Sequence, residues 1–153
     1  MNANTPLEAI IFDFNRTLFD PVSFRLYPGV QNMLEDLRQL YRLFIFSRMG
    51  HRRDRLLVDL GIADCFEASY FAAKKTSEEL LRIFATHGLQ PAHTYVVGDL
   101  LADELRVGAQ VGAKTVWLRH GIFSGAQAIL PHEKPTYTVS TIEELHGLLR
   151  PKQ

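Results

Sequence analysis

Short apolar runs alternate with amphipathic stretches along this 153-residue chain, and that alternation constrains its fold more than any other feature. Leu7 to Phe14 carries Ile10, Ile11 and Phe12 in succession, the pattern of a strand covered on both faces. Pro28-Gly29 opens a stretch in which Val30, Met33, Leu34, Leu37, Leu40 and Tyr41 fall at helical spacing. A second strand is expected over Leu43 to Phe46, ending at Ser47. A helix with Leu56, Leu57 and Leu60 follows and stops at Gly61. Glu67 to Ala72 reads as a short third strand. Thr76-Ser-Glu-Glu79 has the form of a capping box opening a helix that runs to His87-Gly88. Thr94 to Val97 is a fourth strand leading into Gly98-Asp99. A small-residue helix from Leu101 to about Val111 precedes a fifth strand, Lys114 to Leu118. Thr141-Ile-Glu-Glu144 repeats the capping box before an amphipathic helix with Leu145, Leu148 and Leu149. Such alternation predicts a three-layer α/β fold, a parallel sheet with helices on both faces.

Composition narrows the function classes. Apolar residues make up 46% and charged residues 22%, which argues against disorder. Lys+Arg and Asp+Glu balance at 17 each, so no net field favours nucleic acid or an anionic membrane. The single cysteine, Cys65, cannot form an internal disulfide and reads as a small half-buried residue beside Phe66. The first six residues lack the charged and apolar regions of a leader peptide, and no apolar run nears the roughly 18 residues of a membrane span. A cytoplasmic, single domain over residues 1–153 is the expectation.

In sheets of this kind ligands bind beyond the carboxyl ends of the strands. The residues leaving the strands are Asp13, Asn15 and Thr17 after the first, Ser47 after the second and Asp99 after the fourth. Asp103 belongs in the first turn of the next helix, near the same edge. Carboxylates converging in one crevice repel one another unless a positive charge lies between them. An oxygen-only site with few carboxylates suits Mg²⁺, which keeps several waters and favours a phosphate to complete its shell. Lys75, just before the third helix, reaches the same edge as a cation, and Ser47 and Thr17 offer hydroxyl donors. A metal, a lysine and donors around one carboxylate form an anion-receiving site with a nucleophile in it. The residues alone therefore point to phosphoryl transfer to or from Asp13.

These segments resemble the four motifs of the haloacid dehalogenase-like (HAD) superfamily, most of whose members are phosphatases. Asp13-Phe-Asn-Arg-Thr17-Leu-Phe matches the first motif, and Leu43-Phe-Ile-Phe-Ser47 the second. Lys75-Thr-Ser-Glu-Glu matches the third, where the family often has Pro after the Lys and where Lys74 is the alternative. Gly98-Asp99-Leu-Leu-Ala-Asp103 matches the fourth, and Gly108 to Leu118 is similar to the helix-then-strand passage that follows it. The resemblance implies a Rossmann-like sheet, with Asp13 as the nucleophile that forms an aspartyl-phosphate. It implies that Ser47 and Lys75 hold the phosphoryl oxygens. Mg²⁺ would be bound by Asp13, Asp99 and the backbone carbonyl of Asn15, with Asp103 supporting directly or through water. Thr17 would support the loop beside the nucleophile.

Residue 15 departs from that pattern. The family's phosphatases usually have Asp there, to protonate the leaving oxygen and then activate the attacking water. Asn carries no titrating proton, although its main-chain carbonyl survives the change. Four readings stay open. The chain is a slow or specialised phosphohydrolase, an engineered Asp-to-Asn trapping variant, a non-catalytic phosphoryl- or partner-binding relative, or an enzyme of other chemistry. Dehalogenation, the obvious case of the last, is disfavoured because Asp99 and Asp103 are retained and those relatives work without the metal. The first reading is the expectation. Asn15 as a turn residue bonding its own backbone is compatible with all four.

The intervals from Asp20 to Ser47 and from Ser47 to Lys75 each accommodate one helix and its connections, so no cap domain is expected. An open site suits a large phosphorylated substrate, or needs a neighbouring subunit as lid, and self-association stays open. Arg16 and Arg48 are expected at the mouth as substrate-binding residues. Arg48 heads a cluster with His51, Arg52, Arg53 and Arg55 that is equally readable as a solvated helix face. His87, His93, His120, His132 and His146 lack ligand spacing and read as surface residues. Trp117 reads as core, and residues 119–140 as a long loop at the site's edge that shapes specificity or mediates self-association.

Overall fold

The computed structural model describes residues 8–128 and 130–151. Leu7, where the first apolar run begins, and the six residues read for a leader lie outside them. Six parallel strands form one sheet: β1 (Ala9–Phe12), β4 (Arg42–Arg48), β5 (Ala68–Ala72), β6 (Thr94–Gly98), β7 (Lys114–Leu118) and β8 (Tyr137–Val139). Their order is β5-β4-β1-β6-β7-β8. The chain builds outward from β1 to β5, then returns to the other side of β1 and builds outward again. β1 thus lies at the switch point, where the connections on its two sides diverge and leave a crevice. Phe12 is in register with Ile45 of β4 and Val97 of β6, so Asp13 emerges between the ends of both.

The consecutive apolar residues of β1 have a simple cause. Side chains alternate across a strand, so Ile10 and Phe12 enter one layer and Ala9 and Ile11 the other. The first layer holds Met33 and Leu34 of α1 (Val30–Leu37), Leu57 of α2 (Arg53–Asp59) and Leu145 of α5 (Ile142–Leu149). The second holds Leu80, Ile83 and Phe84 of α3 (Ser77–His87) and Val107 of α4 (Arg106–Gln110). Thr76 and Thr141 act as N-caps, each side-chain oxygen accepting the backbone N–H three residues on, at 3.2 and 3.0 Å. Leu40 stays half-exposed, whereas Tyr41 is buried and its hydroxyl donates to the carbonyl of Leu149.

Three expectations are corrected, and a hairpin not read from the sequence is added. The span 119–140 contains β8, a strand of three residues whose ladder to β7 pairs Trp117 with Thr138. Its Tyr-Thr-Val sequence has too few residues to show a period. A hairpin of β2 (Phe19–Asp20) and β3 (Arg25–Leu26) follows the first strand. Its turn is closed by the Asp20 carboxylate, which accepts from the Val22 N–H and the Ser23 hydroxyl at 2.9 Å each. The helix after β6 is not continuous: a wide turn, Leu101–Leu105, with Asp103 at φ −124° and ψ −106°, precedes α4. Three histidines read as surface residues are half-buried and bonded. His87 pairs with the Tyr70 hydroxyl, His120 with the Arg16 carbonyl and His146 with the Asp36 carboxylate, each at 2.6 Å.

No domain is inserted between β1 and β5. The hairpin, α1 and α2 take up both intervals. Among the described residues, no helix is long and apolar enough to cross a membrane.

Candidate active site

Asp13 leaves β1 with its backbone N–H on the Val97 carbonyl at 2.9 Å, which anchors it to β6 as well as to its own strand. The turn beyond it is drawn tight by the N–H groups of Thr17, Leu18 and Phe19, all directed at the Phe14 carbonyl. Arg16 takes the left-handed conformation, φ 62°, to make that turn. Thr17 is thereby buried behind the carboxylate, its hydroxyl donating to Asp13 Oδ2 at 3.4 Å. Lys75 reaches Asp13 Oδ1 from the start of α3 at 2.8 Å. Its neighbour Lys74 is exposed, so Lys75 is the lysine at the site.

Asp13, Asn15, Arg16, Ser47, Arg48, Lys75, Asp99 and Asp103, all singled out from the sequence, line one cavity of about 280 Å³. Thr17 stands behind it. Arg53, Leu100, Glu104 and Phe123 complete the lining. Arg48 pairs with Asp103 at 3.3 Å and is largely exposed. Arg16 donates to Asp99 at 3.4 Å and lies against the Phe123 ring, 4.9 Å from its centre. The loop after β7 therefore does reach the site, through Phe123 and through His120 on the Arg16 carbonyl.

Glu104 is the site residue that sequence reasoning missed. It is 2% exposed, accepts from Lys75 at 2.7 Å and also accepts the Leu100 N–H at 2.9 Å. Gly98 makes room for it, because a Cβ there would fall 2.4 Å from the Glu104 side chain. The only sequence signal was the adjacent pair Asp103-Glu104. On a regular helix these would point in different directions, but the wide turn aims both at the cavity.

The donor set fits a divalent cation. One oxygen each of Asp13, Asp99 and Glu104 lies within 4.8 Å of the others. Asp99 Oδ1 is buried without a hydrogen-bond partner, a cost that a metal ion would relieve. Asp103, expected from the sequence to support the ion, lines the same cavity, paired with Arg48 and 3.7 Å from Lys75. Asn15 Oδ1 is likewise buried with no partner.

The charges explain the proton affinities. Burial by itself lowers the proton affinity of Lys75, but the carboxylates of Glu104 and Asp13 outweigh it and hold the ammonium well above its ordinary range. Burial, then the negative charge of Asp13, pushes Asp99 up to about 6, with Arg16 opposing. Burial and Asp13 push Glu104 upward too.

A family model described as HAD-hydrolase-like matches residues 72–145, the part of the chain that supplies Lys75, Asp99, Asp103 and Glu104. The N-acylneuraminate-9-phosphatase of Homo sapiens is 29% identical over 137 residues, which is 82% of this chain and 52% of that protein. Over these residues the chain is similar to members of the haloacid dehalogenase-like superfamily. Among solved structures of the HAD fold, a HAD phosphatase from Thermococcus onnurineus matches with a TM-score of 0.72 at 18% identity, covering 94% of this chain and 98% of that one. The HAD-hydrolase YfnB of Bacillus subtilis, solved bound to magnesium, matches with a TM-score of 0.71 at 23% identity, covering 82% of this chain and 57% of that one. The chain spans about half the length of the curated relatives it matches.

The raised Asp99 has a consequence for this chain without metal. Between its ordinary value of 3.8 and about 6, the folded state keeps a proton that the unfolded state has lost. Stability from this group is therefore full below about pH 4 and falls as pH rises through 6, by on the order of 3 kcal/mol. Urea unfolding of the metal-free protein at pH 4 to 7, compared with Asp99→Asn, should show the variant lacking that decline. Parallel curves for the two proteins would refute the assignment.

Proposed function

We propose that the cavity is a Mg²⁺-dependent phosphohydrolase centre working through an aspartyl-phosphate on Asp13, slowed at its proton-transfer step because residue 15 is Asn. The observation that carries this reading is the Asp13 carboxylate held between the Lys75 ammonium and the Thr17 hydroxyl, at 2.8 and 3.4 Å, in a cavity shared with Ser47. Lys75 and Ser47 receive the phosphoryl oxygens of the substrate and offset their charge. An Asp13 oxygen attacks phosphorus as the ester P–O bond breaks, and the departing oxygen takes a proton from water or from the substrate's surroundings, since Asn15 has none to give. Water then attacks the aspartyl-phosphate, releases inorganic phosphate and frees Asp13 for another turn. Asp13, Asp99 and Glu104 would hold the Mg²⁺, with the Asn15 carbonyl and Asp103 as the further ligands that superfamily resemblance implies. Its chemistry is to offset negative charge on the transferring phosphoryl group. The uncapped mouth suits a large phosphorylated substrate or a lid supplied by a second subunit.

Hydrolysis of p-nitrophenyl phosphate in the presence of Mg²⁺ should fall to background in Asp13→Ala. An unchanged rate would remove Asp13 from the chemistry. A second reading rests on Asn15 itself: the site binds phosphoryl groups without turning them over. It predicts Mg²⁺-dependent phosphate binding with no hydrolysis even when Asn15→Asp restores the acid.

A further inference from the structure

Four cations line the cavity, and three have carboxylate partners: Arg16 with Asp99, Arg48 with Asp103, and Lys75 with Asp13 and Glu104. Arg53 has no ion pair among the described residues. Its Nε is shielded from solvent and has no acceptor, a state that buried donors rarely tolerate. The side chain is nonetheless held in place. Its guanidinium lies over the Phe14 ring, 5.6 Å from the centre, and Phe14 adjoins Asp13 in the chain. The arginine also lies close against the bare Cα of Gly50, where a Cβ would stand 2.2 Å from Nε and 2.7 Å from Cζ. Gly50 and Phe14 thus fix a free, forked cation at the wall of the cavity, with no role left for it in holding the protein's own acids.

We propose that Arg53 receives a second oxyanion on the substrate, a carboxylate or a second phosphate a few bonds from the ester phosphorus. The site would then select doubly anionic phosphate esters over simple ones. A planar fork held in advance matches an oxyanion in two parallel bonds and loses little freedom on binding. This rests on the phosphoryl-site reading above, with Ser47 and Lys75 taking the first anionic group.

The test uses phosphonates, which bind without being hydrolysed, so Asn15 does not enter. Ethylphosphonate, 3-phosphonopropionate and 1,3-propanediyl bisphosphonate are titrated calorimetrically at fixed free Mg²⁺. At least one two-headed ligand should bind about tenfold tighter than ethylphosphonate or better, the gain expected of a charge-assisted bond. The better of the two identifies the second group as carboxylate or phosphate. Arg53→Met should erase that advantage and leave ethylphosphonate affinity alone, and Arg53→Lys should keep part of it. Gly50→Ala, which displaces the guanidinium while leaving the arginine present, should also erase it and carries the test if Arg53→Met fails to fold. Ethylphosphonate binding with no two-headed advantage, or an equal loss of all three ligands in Arg53→Met, overturns the Arg53 assignment and leaves the phosphoryl site standing. Absence of ethylphosphonate binding overturns the phosphoryl site and the Arg53 assignment with it.

Discussion

Turnover of p-nitrophenyl phosphate or a poorer-leaving alkyl phosphate by Asn15→Asp should exceed that of the present chain by about 10²- to 10⁴-fold, the usual contribution of a positioned acid or base. The larger gain belongs to the alkyl ester, whose leaving oxygen depends more on receiving a proton. Residue 15 is well placed to deliver one, since Asn15 lines the cavity with Asp13 and Asp99 and its Oδ1 is buried without a partner. The turn that holds it is closed through the carbonyls of Phe14 and Phe19, not through its own side chain, so the substitution leaves the backbone intact. A carboxyl there would share a confined space with two others, and like charge together with burial would raise its pKa toward the range a general acid needs. The pH–rate profile of the variant should therefore gain an acid limb that the present chain lacks. Equal rates for both proteins on the alkyl ester would mean that another group already supplies the proton.

Lys75→Met should lower stability at neutral pH by about 3–5 kcal/mol, the cost of removing one member from a buried charged group. The ammonium is 2% exposed and touches Asp13, Glu104 and Asp103 at 2.8, 2.7 and 3.7 Å. Without it those carboxylates, with Asp99 beside them, face one another across the cavity with less positive charge among them. Urea unfolding would show the loss, and two controls separate charge from packing. Acidification should recover part of it as the carboxyls protonate, and adding Glu104→Gln to Lys75→Met should recover part at neutral pH. A loss below about 1 kcal/mol, the scale of a surface pair, would mean that Lys75 does not hold these acids together.

The parts of the site legible in the sequence share a property. Asp13, Ser47 and Asp99 each end or follow a run of apolar residues long enough to declare a strand, and parallel strands in one sheet deliver their following residues to one edge. Lys75 was legible because the capping sequence after it marks a helix start, and burial then distinguishes it from Lys74. Residues whose direction depends on an irregular backbone were not legible. Glu104 faces the cavity because the chain makes a wide turn at Asp103 in place of a helical one. β8 exists because β7 offers it an edge, not because Tyr137 to Val139 prefers to be a strand.

Local pattern was thus enough to determine the α/β layering, the edge at which the chemistry gathers and the absence of an acid at position 15. These depend on side-chain periodicity and residue identity, which a linear chain displays. The tertiary structure alone decided which acids meet which cations: Glu104 with Lys75, Asp103 with Arg48, and Arg53 with none among the described residues. Charge partners are set by distances across the cavity between residues far apart in the chain, and an ångström there changes an interaction that residue order does not encode.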